Sequence, residues 1–177
     1  VEPASIDGAA PPFLQWGEVD GRLGKRGFDS KARRIVGRIC SEGPVQHRGA
    51  DERLILDMAR ADLSLLNSGR APVLLDHMQA FSGLIGVVDR AWVEGNACLA
   101  EMRIGPTARC AEVWDMIAAG MLQNISIGFR FLAWPSAAGV LRAAQWHPFE
   151  VSLVTVPADW TASLLHGRLP SAAPSVD

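Results

Sequence analysis

The stretch QNISIGF at residues 123–129 alternates apolar and polar positions, with Ile125, Ile127 and Phe129 pointing one way and Asn124, Ser126 and Gly128 the other. That is the period of a half-buried β-strand. It runs on as FRFLAW, a turn is expected at PSAAG, and VLRAAQW and FEVSLVTV follow as two more strands in close succession. Upstream, RRIVGRI and PVLLD are short strand-like runs, and LIGVVDRAWVEGNACLAEMRI breaks at Glu94-Gly95-Asn96 like a hairpin loop. Three stretches read as helices. Residues 51–69 (DERLILDMARADLSLLNSG) have near-helical apolar spacing, and residues 106–120 place Cys110, Val113, Trp114 and Ile117 on one stripe. The third is a final helix opening after Pro157 and ending at Gly167. Strands cluster rather than alternate with helices, so the expected class is mainly β with helices (α+β), a compact β-barrel surrounded by a few helices.

Composition sets the remaining bounds. A chain of 177 residues suits one domain, expected over residues 13–168, with flexible Ala/Pro/Gly-rich ends at 1–12 and 169–177. The tail LPSAAPSVD suits a linker or a processing site, and Val at position 1 reads as a chain trimmed or excised from something longer. With 17 basic against 19 acidic residues there is no electrostatic case for nucleic acid or an anionic membrane as partner. Cys40, Cys98 and Cys110 form no C-x-x-C pair and no zinc spacing, so reduced, buried thiols are expected. No apolar run approaches the roughly 20 residues of a bilayer span, and the start lacks the order of a signal peptide. A soluble, intracellular protein is the expectation.

Three residues could carry chemistry. Ser126 shares a strand face with Gly128, which leaves room for a backbone or substrate to approach; the plain alternative is an inert strand serine. His77 ends the apolar run LLDH, where an imidazole is held rigidly yet within reach; the alternative is an ordinary satisfied histidine. Glu150 interrupts the apolar strand FEVSLV, and a buried carboxylate costs several kcal/mol without a partner; the alternative is an edge strand with Glu150 in water. Serine, imidazole and carboxylate are the types a serine nucleophile needs. His47, His147 and His166 form no metal pair. G-x-S-x-G, P-loop and G-x-G-x-x-G motifs are absent from the sequence.

VLLDH, NISIGF and FEVSLVTVPAD, in this order and at these separations, resemble the tailed-phage prohead proteases, the serine proteases of capsid maturation, which are similar in fold to the herpesvirus assemblins. The resemblance spans roughly residues 35–165. It implies an assemblin-like barrel with His77 as general base, Ser126 as nucleophile and Glu150 as orienting acid. His147 is the less favoured third member, because in an extended strand it points away from Glu150's face. Assemblins carry a pair of arginines just beyond the third member; Pro157-Ala158-Asp159 stands here without one, so only backbone N–H groups near Ala158 and Asp159 are carried over as oxyanion donors. The resemblance further implies no cofactor and no metal. Its substrates would be the scaffold domain of the major capsid protein, other procapsid proteins and the protease itself, cut inside the procapsid in the host cytoplasm, with a homodimer as the usual assemblin state. The alternative function is a catalytically inactive protease-fold module of assembly; a small-ester hydrolase is a third.

Overall fold

The computed structural model describes residues 28–46, 53–136 and 140–165. Its strands are β1 (Phe28–Asp29), β2 (Arg34–Ser41), β3 (Val45–Gln46), β4 (Arg53–Leu56), β5 (Pro72–Leu75), β6 (Leu84–Glu94), β7 (Ala97–Ile104), β8 (Asn124–Ser136), β9 (Val140–Val154) and β10 (Ser163–Leu164). One α-helix, α1 (Ala108–Ala118), joins β7 to β8. Strands β9-β5-β6-β7-β2-β10-β8 are neighbours in that order, and β8 pairs back onto β9, so seven strands close into a barrel. Strands β3 and β4 extend from β9 outside the ring, β4 running parallel to its first half and β5 parallel to its second.

The barrel interior is filled by alternate residues of each strand. Ile35, Ile39, Ile85, Met102, Ile125, Trp146 and Leu153 are all within 1% of full burial, the packing expected of a small closed barrel. Helix α1 sits as read from sequence. Thr107 Oγ1 accepts from Cys110 N at 3.4 Å as the N-cap. Cys110, Val113, Trp114 and Ile117 are buried, and Gly120 beyond the end takes a φ of 71°. The hairpin loop also falls where expected, with Gly95 at φ 58° between β6 and β7. All three cysteines are buried and free.

Two expected helices are not there. Residues 53–56 form β4, whose Leu54, Ile55 and Leu56 are all buried, and only single 3-10 turns follow at Met58–Arg60 and Leu66–Ser68. Local side chains take the backbone donors that a helix would use. Asp57 Oδ1 accepts from Ala59 N and Asp62 Oδ1 from Ser64 N. Asn67 exchanges two hydrogen bonds with the backbone of Ala91 on β6, 2.7 and 3.0 Å. After Pro157, Asp159 Oδ1 likewise accepts from Thr161 N and Oγ1, and the chain continues extended as β10. VLRAAQW and FEVSLV belong to one continuous strand of 15 residues, Val140–Val154, that stops before Thr155; extra residues absorbed at two register shifts replace the expected break. The expectations for residues 1–12, 169–177, His47 and His166 lie outside the described residues.

Candidate active site

The three candidates sit around β9. Ser126 on β8 faces Ser152 on β9, and Gly128 faces Glu150. On the other side of β9, Leu74 of β5 faces Ser152, and His77 follows β5 by two residues. Ile125, Val151 and Leu153 belong to the core, so Ser126, Glu150 and Ser152 lie on the barrel's outer face.

Glu150 is 1% exposed, and a carboxylate so buried requires partners. One oxygen lies 2.7 Å from His77 Nδ1, and the other accepts from Ser152 Oγ at 2.7 Å. A carboxylate can only accept, so Nδ1 carries the proton and Nε2 is left as the basic nitrogen. Asp76 and His77 take φ values of 45° and 59°, each costing about 1–3 kcal/mol for a non-glycine residue. The turn is held by Asp76 N donating to Leu153 O at 3.0 Å, His77 N to Ser152 Oγ at 3.1 Å and Met78 N to Leu75 O at 2.9 Å. Arg33 at φ 49° is the other such residue among those described, so two of the three strained positions fall at the turn whose His77 side chain reaches Glu150.

Ser126 is one strand away. Residues directly opposite across an antiparallel pair have Cβ atoms about 4.5–5.5 Å apart, which sets Ser126 beside Ser152, whose Oγ accepts from His77 N. Its Oγ makes no hydrogen bond among the described residues. Ser126 lines a hollow of about 40 Å³ together with Ala158 and Asp159. The Asp159 carboxylate is fully engaged, accepting from Ser41 N and Oγ at 3.0 Å each besides the Thr161 bonds. Ala158 and Asp159 stand with Ser126 on the wall of that hollow.

A bulge decides what surrounds the carboxylate. Gly128 pairs with Glu150 but Phe129 pairs with Pro148, so Phe149 has no partner on β8. A Cβ at Gly128 would lie 2.9 Å from both Glu150 Cγ and Phe149 Cε2; the glycine is the room into which the glutamate folds. The bulge also removes the alternation on which His147 was set aside: His147 pairs with Arg130, two residues from Gly128, and so shares Glu150's face. His147 is apart from the site for another reason. Its Nδ1 lies 3.0 Å from Asp62 Oδ2, and Asp62 is held below the ordinary carboxylate range by its hydrogen bonds to Ser64 and by that imidazole.

Ser152 was not singled out from sequence. It is fully buried and joins the Glu150 carboxylate to the His77 backbone. The signal was present: Glu150 and Ser152 are two polar residues at i, i+2 on one face of an otherwise apolar strand. No cluster of three or more His, Cys, Asp or Glu side chains suited to a metal occurs among the described residues.

The closed seven-stranded barrel is a phage capsid protease-like fold. The solved structure of the bacteriophage T4 capsid assembly protease, gp21, matches 71% of this chain and 98% of its own with a TM-score of 0.51, at 10% sequence identity. In sequence, the chain is 32% identical over 131 residues to the major capsid protein of Halomonas phage phiHAP-1, covering 70% of this chain and 22% of that protein. The chain thus spans about a fifth of the length of that relative. No family model matches the chain.

Proposed function

We propose that this chain is a serine endopeptidase of phage head maturation, with Ser126 as nucleophile, His77 as general base and Glu150 as orienting carboxylate. The observation that carries it is the 2.7 Å contact between His77 Nδ1 and a buried Glu150, one strand from Ser126. Nε2 of His77 takes the Ser126 proton as Oγ bonds to a peptide carbonyl carbon. The oxyanion that develops is received by the N–H groups of Ala158 and Asp159. The C–N bond breaks as His77 returns the proton to the leaving amine, and water then releases the acyl group by the same route in reverse. Glu150 holds the tautomer and stabilises the imidazolium. Its substrates are the scaffold domain of the capsid protein, other procapsid proteins and the protease itself, cut within the assembling procapsid. The likeness to part of a much longer major capsid protein supports a protease made with, or beside, its substrate.

A fluorophosphonate probe tests this directly. Wild-type chain takes up one label at Ser126, Ser126→Ala takes up none, and co-expressed capsid protein is shortened only by the wild type. The second reading, an inactive assembly module, is favoured by the unbonded Ser126 Oγ; an unlabelled, folded wild type establishes it over the protease.

A further inference from the structure

Beside Glu150, on the side away from Ser126, lies a groove of about 410 Å³. Pro72 and Leu74 of β5 form part of its lining, Phe149 and Glu150 another, and Phe81 and Leu84 belong to the segment after His77. The lining is apolar apart from Glu150 and Gln79. Phe149 reaches it because the bulge puts it on the same face as Glu150.

The rim is fixed. Gly83 N donates to Ala80 O at 2.9 Å, and the Arg109 guanidinium on α1 donates to Phe81 O at 3.1 Å and Leu84 O at 2.8 Å. A Cβ at Gly83 would fall 2.7 Å from Met78 Cβ, so the turn is packed as tightly as its sequence permits. Yet this anchored turn holds Phe81 87% exposed, with Met78 48% and Leu84 40% exposed beside it. Apolar side chains held rigidly in water around a concave apolar surface mark a binding site.

Continuity with the candidate active site identifies the occupant. In acyl transfer the imidazole delivers a proton to the leaving amine, so it stands on the leaving-group side of the scissile bond. The groove shares Glu150 with the site and is walled by the segment that follows His77, whereas the hollow at Ala158 and Asp159 lies with Ser126. We infer that this groove is a specificity subsite for a large aliphatic or aromatic side chain of the substrate on the leaving-group side of the cut. The inference rests on the serine-protease reading above.

The test is a digest of a proteome-derived peptide mixture by the full chain, with cut positions read by mass spectrometry and fluorophosphonate labelling run alongside. Leu, Met and Phe should be enriched about tenfold or more over Gly and Asp at one position just after the cut, the scale at which apolar pockets discriminate. Phe81→Ser and Leu84→Ser, both on exposed positions, should flatten that enrichment. Cuts without such enrichment, or enrichment untouched by either variant, overturn the subsite alone; a chain labelled at Ser126 that makes no cuts overturns the endopeptidase reading together with the subsite. Absence of the label overturns the protease reading and the subsite with it.

Discussion

Glu150 and His147 are three residues apart, each beside an imidazole partner or an acid, and mutation separates their roles. Glu150→Gln keeps the shape but loses the charge that stabilises an imidazolium, and should lower peptide cleavage by about 10²- to 10⁴-fold. His147→Gln, whose parent pairs with Asp62, should keep most activity; rates on both variants, with circular dichroism for folding, check this. Ser126→Ala should fold normally and lose roughly 10⁴- to 10⁶-fold, read from capsid protein processed in co-expression. Ser152→Ala removes one partner from Glu150 and one from the His77 N–H, groups that burial makes costly to leave unpaired by about 1–3 kcal/mol each. A drop in melting temperature together with a fall in kcat is the expected outcome, and Ser152→Thr should restore part of both.

At the scale of elements, alternation made β8 legible, and the capped, striped α1 was equally plain. What the sequence hid were places where side chains overrule the period. Leu54, Ile55 and Leu56 fit a helix stripe or a buried strand equally well by spacing, and the parallel partner β9 that decides between them is some 85 residues away, from Arg53 opposite Val140 to Leu56 opposite Ala143. The bulge at Phe149 is marked in the sequence only by the neighbouring Pro148, a residue that strands admit at bulges, and strict alternation through it puts His147 on the wrong face. The candidate residues Ser126, His77 and Glu150 each break an apolar pattern; Ser152 breaks it too, at i+2 from Glu150, but its part lies in contacts to the Glu150 carboxylate and the His77 N–H that only the folded strands create. The turn after Pro157 offers a test of its own. Asp159→Ala leaves the buried Ser41 N–H without its acceptor, while Ser41 Oγ keeps Thr161 Oγ1 at 2.8 Å, and should cost about 1–3 kcal/mol in denaturant unfolding while also weakening cleavage by shifting the proposed oxyanion donors, the N–H groups of Ala158 and Asp159.

For the molecule as a whole, the thiols report on barrel integrity. Burial, and then the neighbouring Cys98, push the Cys40 thiol well above its ordinary value. The folded chain therefore keeps a proton that the unfolded chain gives up, so this contribution to stability is whole below the unfolded thiol's pKa of about 8.5 and declines as pH rises past it. Iodoacetamide at pH 8 should modify none of the three cysteines natively and all of them in denaturant, and Cys40→Ala should lessen the alkaline loss of stability. The ring that shields them shuts through β10, two residues long, which pairs with β2 and β8 at once. It is the last of the described strands to leave the ribosome. Unpairing those two residues alone would part β2 from β8 and carry the wall at Ala158 and Asp159 away from Ser126, so the closure of the whole barrel hangs on the shortest strand of its ring.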